Sequence, residues 1–216
     1  MTEEVSPPKV LVVCARRYNG HELWTALGVM QSHGIRFDVA STEYFIEDEV
    51  TGQPNRITLT LDDVEPDKVK EYDGLMFVSG NMQDTEKYWK LPRTLAYVDV
   101  ARQNNLAIAA ICCSVPTIRE AASGKRVSFF PLVRSRELLV QAGAIPQTVS
   151  ITVDGRLVTA EHQMSSQMWA EHFSRVLMGE EVETGLVESG FVPKSKARRR
   201  LPPEIVAMRK KSQRGT

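Results

Sequence analysis

The run Leu106-Ala-Ile-Ala-Ala-Ile-Cys-Cys-Ser-Val-Pro116 begins as a continuous apolar strand and ends in small residues followed by a proline. Six apolar residues without polar alternation are what a strand buried on both faces of a parallel sheet requires. Pro116 suits the first turn of a following helix, where its missing N–H costs nothing. Cys112 therefore stands at a strand-to-helix junction, and Ala109, Ala110 and Ser114 are small enough to permit a sharp turn there. In open α/β sheets such junctions line the crevice at the carboxyl edge, and a turn of this kind projects a nucleophile as in serine hydrolases. A helix N-terminus would favour the thiolate. The alternative is that Cys112 and Cys113 are small buried core residues. An adjacent pair could also close a strained disulfide, though a reducing compartment opposes that as the resting state.

Other segments repeat the pattern. Lys9 to Cys14 and Tyr72 to Ser79 read as further buried strands, and Ile35 to Ala40 as an alternating one. Gly20 to His33 carries helical spacing at Leu23, Leu27 and Met30 and stops at Gly34. Ser41 to Asp63 reads as a small hairpin excursion around Gly52-Gln-Pro54. Asp84 to Asn104 is helical, with Leu91-Pro92 as an entry or a kink, and helices follow at the cysteines, at Pro131 to Gly143 and at Ser165 to Met178. Val149 to Val153 and Leu157 to Ala160 flank an Asp154-Gly155 turn. Alternating strands and helices predict an α/β fold, a flavodoxin-like three-layer sandwich around a doubly wound, mostly parallel sheet with a nucleophile elbow. One domain is expected over residues 9–180, with a tail at 1–8.

The 216 residues, 42% hydrophobic and 25% charged, suffice for one soluble domain. No apolar run is long enough for a membrane span, and Met1-Thr-Glu-Glu lacks a signal-peptide start, so a cytoplasmic location without a membrane partner is expected. Three cysteines, two adjacent, do not make a disulfide framework, and without a CxxC or clustered histidines no metal is expected. Net charge is zero, yet nine Lys and Arg against one acid fall between Lys194 and Arg214. That basic extension, residues 181–216, is expected to be partly disordered or to dock between subunits rather than to bind nucleic acid, with one short helix at Glu204 to Lys211. Tyr88, Trp89 and Trp169 could line an interface, or pack in the core.

The order of several blocks resembles the ThiJ/PfpI superfamily, with its class I glutamine amidotransferase-like fold. Ala109-Ala-Ile-Cys-Cys-Ser-Val-Pro116 is similar to its Ala-Ala-Ile-Cys-(Ala/His)-Gly-Pro signature, and Tyr72 to Asn81 to its strand ending in Gly-Gly-Asn. Gly20 to Gly34, Val127 to Pro131, and Leu157 to Ala160 with the closing helix fit the same order, so the match runs from about Lys9 to Met178. The family includes PfpI-type proteases, glyoxalase III-type enzymes and the Parkinson-associated deglycase.

The resemblance implies Cys112 as nucleophile and Glu22 as a largely protonated carboxylate bonded to its sulfur. It also implies an oxyanion hole from the Gly80 and Cys113 amides. From spacing alone Glu22 reads instead as an exposed first-turn residue complementing the helix dipole. Both usual histidine positions are changed, to Cys113 and Phe130. His162, and after it His21, stand as substitute bases, His162 also reading as a solvated loop residue.

Two functions remain open. One is a cysteine-dependent hydrolase or lyase, glyoxalase-, deglycase- or peptidase-like, acting on small carbonyl, amide or peptide substrates. The other is a non-catalytic redox or stress-responsive protein in which Cys112 is oxidised to a sulfinate held by Glu22. No cofactor is implied, and the resemblance points to a homodimer or higher homo-oligomer.

Overall fold

The computed structural model describes residues 6–180, 182 and 186–187. The chain runs β1 (Lys9–Cys14), β2 (Arg17–Tyr18), α1 (Gly20–Ser32), β3 (Arg36–Ser41), β4 (Phe45–Asp48), β5 (Pro54–Arg56) and β6 (Leu59–Thr60). It continues through β7 (Gly74–Val78), α2 (Met82–Tyr88), α3 (Pro92–Gln103), β8 (Ala107–Ile111) and a 3-10 segment, Cys112–Ile118. Then come β9 (Arg126–Val127), α4 (Val133–Gln141), β10 (Ile145–Pro146), β11 (Ile151–Asp154), β12 (Leu157–Ala160), α5 (Ser166–Leu177) and β13 (Leu186–Val187).

The central sheet has the order β13-β11-β12-β8-β7-β1-β3-β6. It is parallel from β12 to β6 and antiparallel at β11 and β13. From β1 the chain moves outward to β3, then returns across β1 to build β7, β8 and β12 on its other side. The order thus reverses between β1 and β7, the place where open α/β sheets form a crevice.

Strand alternation divides the core into two layers. Val10, Val12, Met76, Val78, Ala109 and Ile111 pack with α1 and α5, while Leu11, Val13, Leu75, Phe77, Ile108 and Ala110 pack with α3, α4 and the 3-10 segment. All five residues of β8 and of β7 are buried, as their uninterrupted apolar composition requires. Asn19 caps α1 by accepting from the Glu22 N–H, and Gly34, at φ +70°, lets the chain leave the helix into β3. The Gly52 excursion is the hairpin β4–β5, and β2 adds to it in parallel.

Several expectations need correction. Asp84 to Asn104 is two helices, because Pro92 starts α3 and cannot continue α2. The segment after the cysteines is a seven-residue 3-10 turn rather than an α-helix. Tyr88, Trp89 and Trp169 are buried and line no exposed surface. Each polar tip meets a backbone carbonyl: Tyr88 Oη that of Cys14, Trp89 Nε1 that of Cys113 and Trp169 Nε1 that of Val158. β13 pairs with β11 from within the stretch read as the basic extension, and the expected helix at Glu204 to Lys211 lies outside the described residues. Among the described residues no helix is long and apolar enough to cross a membrane.

α5 closes the molecule over β8, β12 and α1 through fully buried Trp169 and Phe173. Phe173→Ala is expected to lower the unfolding free energy in urea by about 3–5 kcal/mol. A loss below about 1 kcal/mol would mean that α5 does not close the core.

Candidate active site

Four strand ends meet at the carboxyl edge: Cys14 of β1, Ser79 after β7, Cys112 after β8 and Glu161-His162 after β12. Cys112 takes φ +57°, a left-handed conformation that costs a non-glycine residue roughly 1–3 kcal/mol. Its surroundings hold it there. Ser114 Oγ accepts the Ile111 N–H at 3.1 Å and lies 2.7 Å from Ile111 O and 2.9 Å from Phe77 O. Trp89 Nε1 donates to Cys113 O at 2.8 Å, and the Phe130 N–H reaches Cys112 O at 3.4 Å. Cys112 is partly exposed and Cys113 is buried.

Glu22, from the first turn of α1, is fully buried rather than an exposed partner of the helix dipole. Its Oε2 accepts from the Ser79 N–H at 2.9 Å and the Ser79 hydroxyl at 2.7 Å. Oε1 has no partner. Burial drives the carboxyl well above its ordinary pKa, Cys112 would push it further in its charged form, and the Ser79 bonds oppose both only in part. The surroundings thus favour the protonated, neutral form of Glu22. No hydrogen bond joins Glu22 to Cys112; the Ser79 hydroxyl, which also favours the charged form of the Cys112 sulfur, stands in relation to both.

The Cys112 thiol is likewise held neutral, contrary to the expected helix-end thiolate. The hydrogen bond with the Cys113 thiol, Sγ to Sγ 3.6 Å, is the largest cause, followed by burial. The 3-10 turn is too short to supply the dipole of a full helix, so little opposes these effects. Cys14 is a core thiol, pushed up to about 12 by burial.

The two amides expected to form an oxyanion hole differ. The Cys113 N–H favours the charged Cys112 sulfur, whereas the Gly80 N–H is occupied by Thr85 Oγ1 at 3.1 Å. Gly80 is a glycine because any Cβ there would overlap the Arg17 carbonyl oxygen, where residue 80 bridges to Tyr18.

His162 is exposed and its Nδ1 accepts from the Met164 N–H at 3.3 Å. Its ring lies against Phe130, centroids 6.2 Å apart, and makes no hydrogen bond to the Cys112 sulfur. His21 points to solvent. Asn19 Nδ2 donates to Gln163 Oε1 at 2.5 Å and to Glu49 Oε1 at 3.0 Å, tying the loop after β12 to the start of α1. Beyond Phe130 lies an apolar cleft of about 200 Å³ lined by Phe129, Leu132, Val133, Arg136 and Glu161; neither Cys112 nor Glu22 faces it. Among the described residues no group of three or more His, Cys, Asp or Glu could hold a metal ion.

Ser79 and Thr85 carry no signal in the sequence, because their partners lie far along the chain or on the backbone. Asn19 was findable, standing directly before a glycine-led helix as an N-cap residue does.

A carboxyl whose pKa is raised on folding contributes stability in full below its unfolded value, about 4.3, and loses that contribution as pH rises toward the folded value. Wild type is therefore expected to lose stability relative to Glu22→Gln above about pH 4.3, by up to about 1.4 kcal/mol per pH unit. Urea unfolding of both proteins across pH reads this; parallel curves would show that Glu22 is ionised in the folded protein.

The DJ-1/PfpI family model matches residues 8–175. An uncharacterized protein of Methanocaldococcus jannaschii is 31% identical over 165 residues, covering 74% of this chain and 77% of that protein. Another, of Archaeoglobus fulgidus, is 26% identical over 152 residues, 70% of this chain and 88% of that protein. Among solved structures, a ThiJ/PfpI domain protein from Brachyspira murdochii superposes with a TM-score of 0.72 at 20% identity, covering 81% of this chain and 99% of its own. Drosophila melanogaster DJ-1beta superposes at 0.67 with 19% identity, covering 81% and 92%. A family match running from β1 into α5 and enclosing both Glu22 and the Cys112 elbow makes this chain a member of the DJ-1/PfpI family.

Proposed function

We propose that the chain is a cysteine-dependent enzyme for small carbonyl compounds, aldehydes in particular, with Cys112 as nucleophile and Glu22 as proton carrier. The observation that carries this reading is the fully buried Glu22 carboxyl, its Oε1 unpartnered, beside a thiol on a left-handed elbow with no imidazole bonded to it.

Proton accounting favours an aldehyde over an amide. Adding a thiol to an aldehyde forms one S–C bond, moves the carbonyl π pair onto oxygen, and needs only that the thiol proton end on that oxygen. Glu22 can give its proton to the oxygen and take the one released by sulfur, and no group leaves. Amide cleavage asks for more: a base to take the thiol proton, an acid to return it to the departing amine, and a free oxyanion hole. The Gly80 amide is engaged by Thr85, and the two usual histidine positions hold Cys113 and Phe130.

With a 2-oxoaldehyde the adduct can go further. Once Glu22 has passed its proton to water, its carboxylate removes the hydrogen on the sulfur-bearing carbon and returns it to the neighbouring carbon, while the hydroxyl proton on the first carbon passes through water to the neighbouring oxygen, giving a thioester that water releases as a 2-hydroxy acid. Cys112 regains its proton in that last step. The Cys113 amide steadies the developing negative charge. His162 and Phe130 form the rim over which the substrate enters.

Incubation with methylglyoxal, followed by loss of the dicarbonyl and appearance of lactate, tests this. Cys112→Ala is expected to abolish turnover and Glu22→Gln to lower kcat by about 10²–10⁴-fold. Retained turnover in Cys112→Ala would sink the proposal, as would peptide cleavage without any action on the aldehyde.

A further inference from the structure

We infer that Cys112 and Cys113 form a reversible vicinal dithiol, which a hydroperoxide converts to a disulfide between the two neighbouring residues. The inference uses the same sulfur as the carbonyl chemistry but does not depend on that chemistry.

Consecutive residues of an extended strand point to opposite faces. The left-handed φ of +57° at Cys112 breaks that alternation, and two adjacent sulfurs come to lie 3.6 Å apart. A disulfide needs them at about 2.0 Å. The remaining gap is little more than the width of one bond, within reach of side-chain rotation on a backbone that is already turned.

Access is ordered. Cys112 is partly exposed and can meet a peroxide, while Cys113 is only 5% exposed and cannot meet a second protein. Cys14 is excluded as a partner because β7 lies between β1 and β8, which puts their ends about 10 Å apart, beyond the roughly 7 Å limit for bridging. Cys113 is therefore the sulfur available to resolve an oxidised Cys112.

The step balances. The Cys112 sulfur attacks one peroxide oxygen, the O–O bond breaks, and the products are Cys112–SOH and an alcohol, or water from hydrogen peroxide. The Cys113 sulfur then attacks Cys112 sulfur, expelling the hydroxyl, which leaves as water with the Cys113 proton. Two electrons pass from the sulfur pair to the O–O bond.

The bond would be labile. Adjacent Cα atoms sit about 3.8 Å apart, under the usual 4.4 Å minimum for a disulfide, and strained disulfides are readily reduced. It would withdraw Cys112 from nucleophilic work and divert it from the sulfinic state, from which return is difficult.

The test is oxidation of the full chain with hydrogen peroxide, alkylation of free thiols, and tryptic mapping. The tryptic peptide 103–119 carries both cysteines and no Cys14. The expected result is loss of two hydrogens on that peptide, resistance to alkylation, and full reversal by dithiothreitol. In Cys113→Ser the same treatment is expected to add oxygen to Cys112 instead. Overturning results are oxygen addition to Cys112 in the wild type while Cys113 remains alkylatable, or an unchanged, doubly alkylated peptide. The readout contains no carbonyl substrate, so a protein inert toward methylglyoxal can still form the bond, and an active one can fail to.

Discussion

A fully buried carboxylic acid whose neutral form is favoured organises this site. Glu22 reaches from the first turn of α1 across the gap between β1 and β7 and is held by the Ser79 N–H and hydroxyl, both donating to one oxygen. Ionised, the same group would be costly in so enclosed a place, since two hydrogen bonds do not replace the lost water. Neutral, it retains one proton with no protein acceptor beside a sulfur that is neutral too. Two acids whose neutral forms are favoured, one of them at a partly exposed elbow, hold protons rather than charge. That property selects reactions in which protons are exchanged without a separate anion being created.

The elbow follows from small residues and the bonds that replace their bulk. Ala109 and Ala110, just before the strand's last residue Ile111, lie in opposite core layers, and Ser114, where the family signature has glycine, returns its hydroxyl to Ile111 and Phe77. The side chain thus supplies local bonds that hold a left-handed residue. The short 3-10 turn that follows, with Pro116 inside it, leaves the Cys112 thiol without a full helix dipole. Its strained backbone comes from these few residues, while its neutrality comes first from the Cys113 thiol and then from burial.

Much of this was legible in the sequence, and the part that was not has a common physical reason. Uninterrupted apolar runs at Lys9–Cys14, Gly74–Val78 and Ala107–Ile111 specify doubly buried strands because only a parallel sheet covered on both faces accepts them. The elbow followed from the strand ending in small residues. Burial of Tyr88, Trp89 and Trp169 was ambiguous, since helical spacing gives a face but not which polar tips will meet a carbonyl. Glu22 was ambiguous for the same reason: as the third residue of a capped helix it can complement the dipole in water or turn inward, and only Ser79, 57 residues away, decides. Bonds across that distance leave no local pattern. The resemblance to a family pointed to an inward-facing Glu22 when spacing favoured an exposed one, and the side chain is buried.

The two missing histidines are best understood from what stands in their place. Phe130 offers an apolar ring that packs against His162, so the imidazole nearest the site is kept at the rim and committed to the Met164 amide. Cys113 offers a second sulfur in contact with the first, which makes the first harder to ionise. Both replacements lower the basicity available at Cys112, and neither supplies an acid for a departing amine. A site so altered loses most for amide cleavage, where the leaving group must be protonated, and least for addition to an aldehyde, where sulfur and oxygen merely trade a proton that Glu22 already holds. The same exchange of imidazole for sulfur sets two thiols 3.6 Å apart, the contact on which the two-electron redox chemistry proposed above rests.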